Sequence, residues 1–144
     1  MKIVFMGTPE YATAILRALF ENNFKISAVF TQPDKPVGRK QILTPPDVKK
    51  FLLESHADTP IFQPSNIKTP EIAEKIGEFS PDFIVVAAYG QILPLEILEI
   101  CPCINLHASI LPKFRGASPI QSAILEGEKI SGVTAMKMGA GLDD

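Results

Sequence analysis

Short apolar runs alternate with amphipathic stretches along most of this chain. The first apolar run, Lys2 to Met6, ends at Gly7. An amphipathic stretch follows, with apolar residues at helical spacing: Ala12, Ile15, Leu16 and Leu19. A second apolar run, Ile26 to Phe30, completes a strand–helix–strand unit. Because these strands are apolar at nearly every position, we expect them to be covered on both faces, as in a parallel sheet.

The same alternation continues to the end of the chain and predicts the fold class. Further strands are predicted at 61–63, 83–88, 103–106 and 133–138, and further helices from about 45, 69, 94 and 119. Thr8 and Thr44 are expected to cap the first and second helices. The run Phe83 to Ala88 is the most apolar, so we place it centrally. The pattern predicts a doubly wound, mostly parallel α/β sheet, Rossmann-like in kind, whose ligands bind beyond the carboxyl ends of the strands.

One connection is too long for an ordinary α/β unit. Residues 31–44 form this loop, and long loops of this kind often carry function. The segment 34–50 holds five basic residues against two acidic ones, a net charge of +3, whereas the whole chain carries −2. A solvated loop face explains such a run more often than a binding patch does, and any nucleic-acid partner of this chain would need such a local patch.

Composition narrows the class of protein. The chain has 144 residues, enough for one domain, and its apolar runs are all far shorter than a membrane span, so we expect a cytoplasmic protein that contacts no membrane. Its two cysteines, Cys101 and Cys103, are too few for a structural zinc site, and no metal is expected. The Gly7-Thr8-Pro9-Glu10 turn lacks the three-glycine spacing of a dinucleotide-binding site, so we do not expect a nicotinamide cofactor.

The residues best suited to chemistry follow the fifth predicted strand. Asn105 and His107 are two apart, so their side chains share one face at the carboxyl end of that strand. An amide N–H and an imidazole N–H aimed at one oxygen would stabilise the oxyanion that forms during acyl transfer. The spacing fits equally well an asparagine that satisfies turn backbone and a structural, hydrogen-bonded histidine.

The chain ends in a Gly-rich turn that delivers two carboxylates, Asp143 and Asp144, after the last predicted strand. A carboxylate beside His107 would orient the imidazole and favour its charged form. Acidic residues near a terminus are also commonly just solvated.

Four segments together resemble a known family along the whole chain. They are Met6 to Ala12, Phe30 to Arg39, Ser109 to Gln121, and Gly132 to Asp143. The chain is similar to the methionyl-tRNA formyltransferases, a branch of the folate-dependent formyltransferases. The Asn-x-His and Ser-x-Leu-Pro motifs are shared by the wider group, including glycinamide ribonucleotide formyltransferase, whereas the opening Gly-Thr-Pro-Glu and the Thr-Gln-Pro-Asp loop look like the methionyl-tRNA branch.

The resemblance implies a reaction and a set of roles. It implies transfer of a formyl group from 10-formyltetrahydrofolate to the α-amino group of methionine on initiator methionyl-tRNA, in translation initiation, by a monomer. It assigns catalysis to Asn105, His107 and Asp143. It assigns folate contact to Ser109, Ile110, Leu111 and Pro112. It brings the loop with Lys35, Arg39 and Lys40 to the tRNA acceptor end.

The resemblance also leaves alternatives open. Family chains continue into the rest of the catalytic domain and a β-barrel domain, so we expect residues 1–144 to be an incomplete N-terminal catalytic domain. Asp144 stands where the family usually has threonine. A small amine acceptor, such as glycinamide ribonucleotide or an amino sugar, would use the same donor chemistry, and a fragment that binds folate or RNA without catalysis is a third possibility.

Overall fold

A computed structural model describes residues 1–107 and 134–139 of the chain. The strands are β1 (Lys2–Gly7), β2 (Lys25–Phe30), β3 (Lys35–Val37), β4 (Ile42–Thr44), β5 (Ile61–Phe62), β6 (Phe83–Ala87), β7 (Cys103–His107) and β8 (Thr134–Lys137). The helices are α1 (Glu10–Glu21), α2 (Asp47–Ser55), α3 (Pro70–Glu78) and α4 (Leu95–Leu98). Within these ranges, no helix is long and apolar enough to cross a bilayer.

Six strands form one sheet in the order β5-β2-β1-β6-β7-β8. The first five are parallel, and β8 pairs with β7 in the antiparallel direction. The prediction of a mostly parallel α/β sheet is therefore confirmed, as is the central place of the most apolar strand, since β6 lies beside β1 in the middle. The parallel strands direct their carboxyl ends to one edge of the sheet, which we call the carboxyl edge.

Both faces of the sheet are covered, which explains why its strands are apolar at nearly every position. On one face, Leu16 of α1 and Leu52 of α2 pack with Phe5 and Val85. On the other face, Ile76 of α3 and Ile97 of α4 belong to a cluster that includes Met6, Phe30 and Cys103. Fully buried leucines such as Leu16 and Leu52 each stabilise the fold by about 2–5 kcal/mol relative to alanine.

The expected helix caps are wrong. Helices α1 and α2 follow Pro9 and Pro46, and neither has a side-chain cap. The Thr8 hydroxyl instead donates to the carbonyl oxygen of Tyr89 at 2.8 Å. Thr44 belongs to β4, where its hydroxyl donates to the carbonyl oxygen of Ile42 at 2.9 Å. Each hydroxyl is therefore already used by a carbonyl, and at the start of α2 the Val48 backbone amide donates instead to the carbonyl oxygen of Thr8 at 3.3 Å.

The long loop at 31–44 contains a β-hairpin that the apolar pattern did not predict. Strands β3 and β4 pair in the antiparallel direction, with Lys35 opposite Thr44 and Val37 opposite Ile42. The turn between them uses positive φ at Gly38 and Gln41. We call residues 35–44 the basic hairpin.

The direction of β8 corrects an expectation about the end of the chain. Since the sequence predicts a mostly parallel sheet, the loop after the last strand is expected at the carboxyl edge, together with the loop after β7. Because β8 is antiparallel, Thr134 lies opposite His107, and the Met138 amide donates to the carbonyl oxygen of Cys103 at 2.8 Å. Residue 139 is thus near the opposite end of β7 from His107, about 13 Å away along the strand.

Candidate active site

The central strands end close together at the carboxyl edge, and Gly7 makes this possible. Gly7 of β1 lies opposite Ala87 of β6. A Cβ atom on Gly7 would be 2.6 Å from the Ala12 Cβ and 2.7 Å from the Ala87 carbonyl oxygen, both far inside contact distance. The absence of a side chain therefore lets α1 begin directly against the end of β6.

Asn105 and His107 occupy the end of β7, as the sequence predicts. Strand alternation puts both on the same face as Cys103, which is 2% exposed in the core between the sheet and α3–α4. His107 is also buried, whereas Asn105 is partly exposed. An imidazole and an amide on one face of a strand are hydrogen-bond donors of the kind that stabilise a carbonyl oxygen as it gains negative charge.

Tyr11 ties the end of β7 to α1, a contact that the sequence analysis missed. Its hydroxyl donates to the carbonyl oxygen of Leu106 at 2.6 Å. Leu106 lies between the two candidate residues, and the pairing of β7 with β6 extends only as far as Asn105. The tyrosine therefore holds a peptide group that β6 does not bond. Burial raises the pKa of Tyr11 to about 12, so it remains a hydrogen-bond donor at neutral pH.

The loop after β6 approaches the same edge with an unusual backbone. Ala88 and Gly90 have φ of +50° and +99°, values that L side chains rarely adopt. A Cβ atom on Gly90 would be 2.5 Å from Gln32 Nε2, the movable end of a flexible side chain, so the positive φ is the stronger reason for glycine here. The Thr8 hydroxyl holds this loop by donating to the Tyr89 carbonyl oxygen. The same hydroxyl oxygen accepts a hydrogen bond from the Gln32 backbone amide at 3.4 Å. Strained backbone of this kind is often found at functional sites.

The basic hairpin projects from the same edge. It follows β2, three strands from β7 in the sheet, a separation of about 14 Å at the usual strand spacing. Lys35, Arg39 and Lys40 are all exposed, and none forms an ion pair with another described residue. Lys49 of α2, by contrast, pairs with Asp34 at 3.1 Å. The three hairpin cations are therefore open to an anionic ligand, whereas Lys49 is already paired.

The remaining candidate residues add no group to this site within the described part of the chain. Ser109, Ile110, Leu111, Pro112 and Asp143 lie outside the described residues. Cys103 is not a candidate nucleophile, because burial raises the pKa of its thiol to about 12. Within residues 1–107 and 134–139, no group of three or more potential metal ligands comes together.

Comparison with known proteins identifies the family. The family described as Formyl transferase matches residues 1–144. The chain belongs to the formyl transferase family. The family resemblance noted in the sequence is thereby confirmed.

Individual relatives fit this formyl transferase assignment. Over all 144 residues the chain is 99% identical to a methionyl-tRNA formyltransferase of Campylobacter hominis, of which it covers 48%. Among solved structures it is similar to a methionyl-tRNA formyltransferase from Clostridium thermocellum (TM-score 0.61, 24% identity, 99% of this chain and 48% of that one). It is also similar to a glycinamide ribonucleotide transformylase from Symbiobacterium toebii (TM-score 0.74, 19% identity, 99% of this chain and 68% of that one). At these identities the two structures show the shared fold alone, and the chain spans about half the length of the curated relatives it matches.

Proposed function

We propose that this formyl transferase chain forms the N-terminal part of an enzyme that moves a formyl group from 10-formyltetrahydrofolate to the α-amino group of methionine on initiator methionyl-tRNA. The observation that carries the chemistry is the pair Asn105 and His107 on one face at the carboxyl end of β7. The 99% identity to a protein of that name supports the choice of acceptor. The enzyme acts in the cytoplasm, where translation initiates, and as a monomer.

In the proposed reaction, the neutral amine forms a bond to the formyl carbon, and the carbonyl electron pair moves onto the formyl oxygen. The Asn105 amide N–H and the protonated His107 imidazole stabilise this oxyanion, each contributing about 10²–10³-fold to turnover. When the intermediate collapses, the bond to the folate nitrogen breaks. The amine loses one proton and the folate nitrogen gains one. Asp143 is proposed to hold His107 in its charged form and to relay the amine proton, since the four residues that separate it from residue 139 can span the roughly 13 Å back to His107 when extended.

The basic hairpin supports a long, anionic acceptor. The end of β2, which leads into the hairpin, is about 14 Å from the end of β7 on the same edge, so an acceptor that reaches from β7 to the hairpin must be longer than a small amine. The acceptor end of a tRNA has that reach, and its phosphates suit Lys35, Arg39 and Lys40. Ser109 to Pro112, which follow β7 directly, are proposed to contact the folate.

The catalytic roles are tested by Asn105→Ala and His107→Ala in the full-length enzyme. We expect each to lower kcat at least about 100-fold and to change folate binding little, because an oxyanion donor acts mainly in the transition state. Asn22→Ala and His56→Ala are matched controls, since those residues lie at the ends of α1 and α2. Equal losses in folate affinity and kcat would contradict the oxyanion role.

The acceptor is tested by the double variant Arg39→Ala, Lys40→Ala. We expect a higher KM for charged tRNA and a reduced dependence of tRNA binding on salt, because phosphate contacts are lost. Lys25→Ala is the matched control. This exposed lysine begins β2 and so lies at the amino ends of the parallel strands, opposite the carboxyl edge. A wild-type KM for charged tRNA across a range of salt would favour a small acceptor instead.

A further inference from the structure

A network of side chains surrounds the segment that leads into the basic hairpin. The carboxylate of Asp34, which immediately precedes β3, accepts hydrogen bonds from Lys49 Nζ at 3.1 and 3.2 Å. It also accepts from Gln63 Nε2 at 2.6 Å, and the same Gln63 nitrogen donates to the carbonyl oxygen of Gln32 at 3.2 Å. The bonds from Gln63 and Lys49 lower the pKa of Asp34, so it stays ionised at neutral pH.

The network extends to the strained loop after β6. Gln91 Nε2 donates to the Gln32 side-chain oxygen at 2.9 Å and to the carbonyl oxygen of Pro64 at 3.1 Å. Its own side-chain oxygen accepts from the Ile67 amide at 2.9 Å. Residues 32–34 are thus bonded to α2, to the end of β5 and to the loop after β6, three segments far apart in the sequence.

We propose that Asp34, Lys49 and Gln63 are positioning residues that hold the basic hairpin at the orientation in which its cations meet the acceptor RNA. This inference rests on the proposed function and assigns these three residues no contact with RNA. The hairpin extends about 13 Å from its base to its turn, so a tilt of about 10° at the base moves the turn by about 2 Å. A displacement of that size is enough to break a hydrogen bond to phosphate.

Asp34→Asn separates this role from simple electrostatics, because the two predict opposite results. The substitution makes the hairpin region more positive by one charge and releases Lys49. If Asp34 only neutralised Lys49, tRNA would bind more tightly. Positioning predicts weaker binding, and we expect KM for charged tRNA to rise about five- to tenfold in the full-length enzyme with KM for the formyl donor unchanged.

Asp47→Asn is the matched control. Asp47 is an exposed carboxylate in the first turn of α2, and among described residues it takes no part in the network. Its removal changes the charge near the hairpin by the same amount, and we expect tRNA binding to be unchanged or slightly tighter. Weaker binding of equal size in both variants would overturn the proposal.

One neutral variant and two variants that remove a cation complete the test. Gln63→Leu removes both bonds to residues 32–34 without changing charge, and it decides the question if Asp34→Asn does not fold. We expect it to raise KM for tRNA several-fold. Lys49→Met should raise that KM and leave the salt dependence unchanged, whereas Lys40→Met should reduce the slope of log affinity against log salt by about 0.7–0.9.

Failure of the inference and failure of the proposed function give different results. If the triple variant Lys35→Ala, Arg39→Ala, Lys40→Ala keeps wild-type KM for tRNA at all salt concentrations, the hairpin does not bind RNA, and the proposed acceptor falls together with this inference. If the triple variant loses tRNA but Asp34→Asn binds more tightly, or Gln63→Leu binds as wild type, only the positioning role is overturned.

Discussion

Gly7 has no room for a side chain, and this single position sets how closely α1 approaches the sheet. The nearest atoms to a Cβ there would be Ala12 Cβ, the Ala87 carbonyl oxygen and Phe5 Cε1, all within 2.8 Å. Two of the three belong to backbone or to a residue with no flexible end, so the neighbours have little freedom to shift. A close packing of this kind tolerates no added methyl group.

We therefore expect Gly7→Ala to destabilise the protein by about 1–3 kcal/mol. Gly77→Ala is the control, because nothing lies within 4 Å of a Cβ at that exposed position in α3. Alanine there should stabilise the helix by about 0.5–1 kcal/mol. Urea unfolding of the two full-length variants measures the difference. Similar midpoints for both would show that the sheet adjusts to the methyl group.

Tyr11 gives a second prediction for a single residue. Tyr11→Phe removes one oxygen atom and with it the 2.6 Å hydrogen bond to the Leu106 carbonyl. We expect a loss of about 0.5–1.5 kcal/mol in stability. We also expect a several-fold lower kcat with unchanged KM for the folate, because the end of β7 that carries Asn105 and His107 is less well fixed. An unchanged kcat at reduced stability would limit the tyrosine to a structural role.

The basic hairpin is an element that contributes little to the core. Val37, Ile42 and Leu43 are 55–64% exposed, and the hairpin pairs with itself rather than with the main sheet. Its two ends lie side by side, since Lys35 pairs with Thr44. The hairpin is therefore separable from the fold.

Replacing residues 36–43 by Asn-Gly tests whether the basic hairpin is separable from the fold. A two-residue turn of that sequence suits a tight hairpin, so it should connect Lys35 to Thr44 without strain. We expect the shortened full-length enzyme to unfold at nearly the wild-type midpoint, to bind folate normally and to show a much higher KM for charged tRNA. Loss of folding would mean that the hairpin supports the core after all.

The elements differ in how well the sequence predicts them, for physical reasons. Buried strands such as β1, β2 and β6 are apolar at nearly every position, because they are covered on both faces. The strands β3 and β4 have three residues each and are exposed, so no burial pattern marks them. The direction of β8 is likewise not encoded in its apolarity, because parallel and antiparallel neighbours bury side chains alike.

The residues of the candidate site also differ in how well the sequence predicts that they lie together. Strand alternation alone puts Asn105 and His107 on one face, so local sequence is sufficient to group them. The network of Gln32, Asp34, Lys49, Gln63 and Gln91 joins residues from four segments, and no spacing rule connects them. Tyr11 and Leu106 are 95 positions apart, and only the packing of α1 onto the sheet brings them together.

At the scale of the whole molecule, burial makes the fold sensitive to alkali. The pKa values of Tyr11 and Tyr89 are both raised from 10.0 to about 12. Between pH 10 and pH 12 the folded state therefore keeps protons that the unfolded state loses. Stability is fully present below pH 10 and falls as the pH rises toward 12.

We expect the double variant Tyr11→Phe, Tyr89→Phe to lose stability less steeply than wild type over this range. The measurement is the urea midpoint at several pH values between 8 and 11.5, each variant compared with itself at pH 8. Parallel curves for the two proteins would assign the alkaline loss to other groups.

The antiparallel pairing of β8 has a consequence for exchanging sequence between relatives. His107 lies opposite Thr134, so the ladder between β7 and β8 holds the two ends of segment 108–133 side by side. We expect exchange of that segment, Ser109 to Pro112 included, to leave both strands in place, because its two attachment points stay fixed by the ladder. A chimaera that imports it from a relative with another acceptor should therefore inherit an intact sheet.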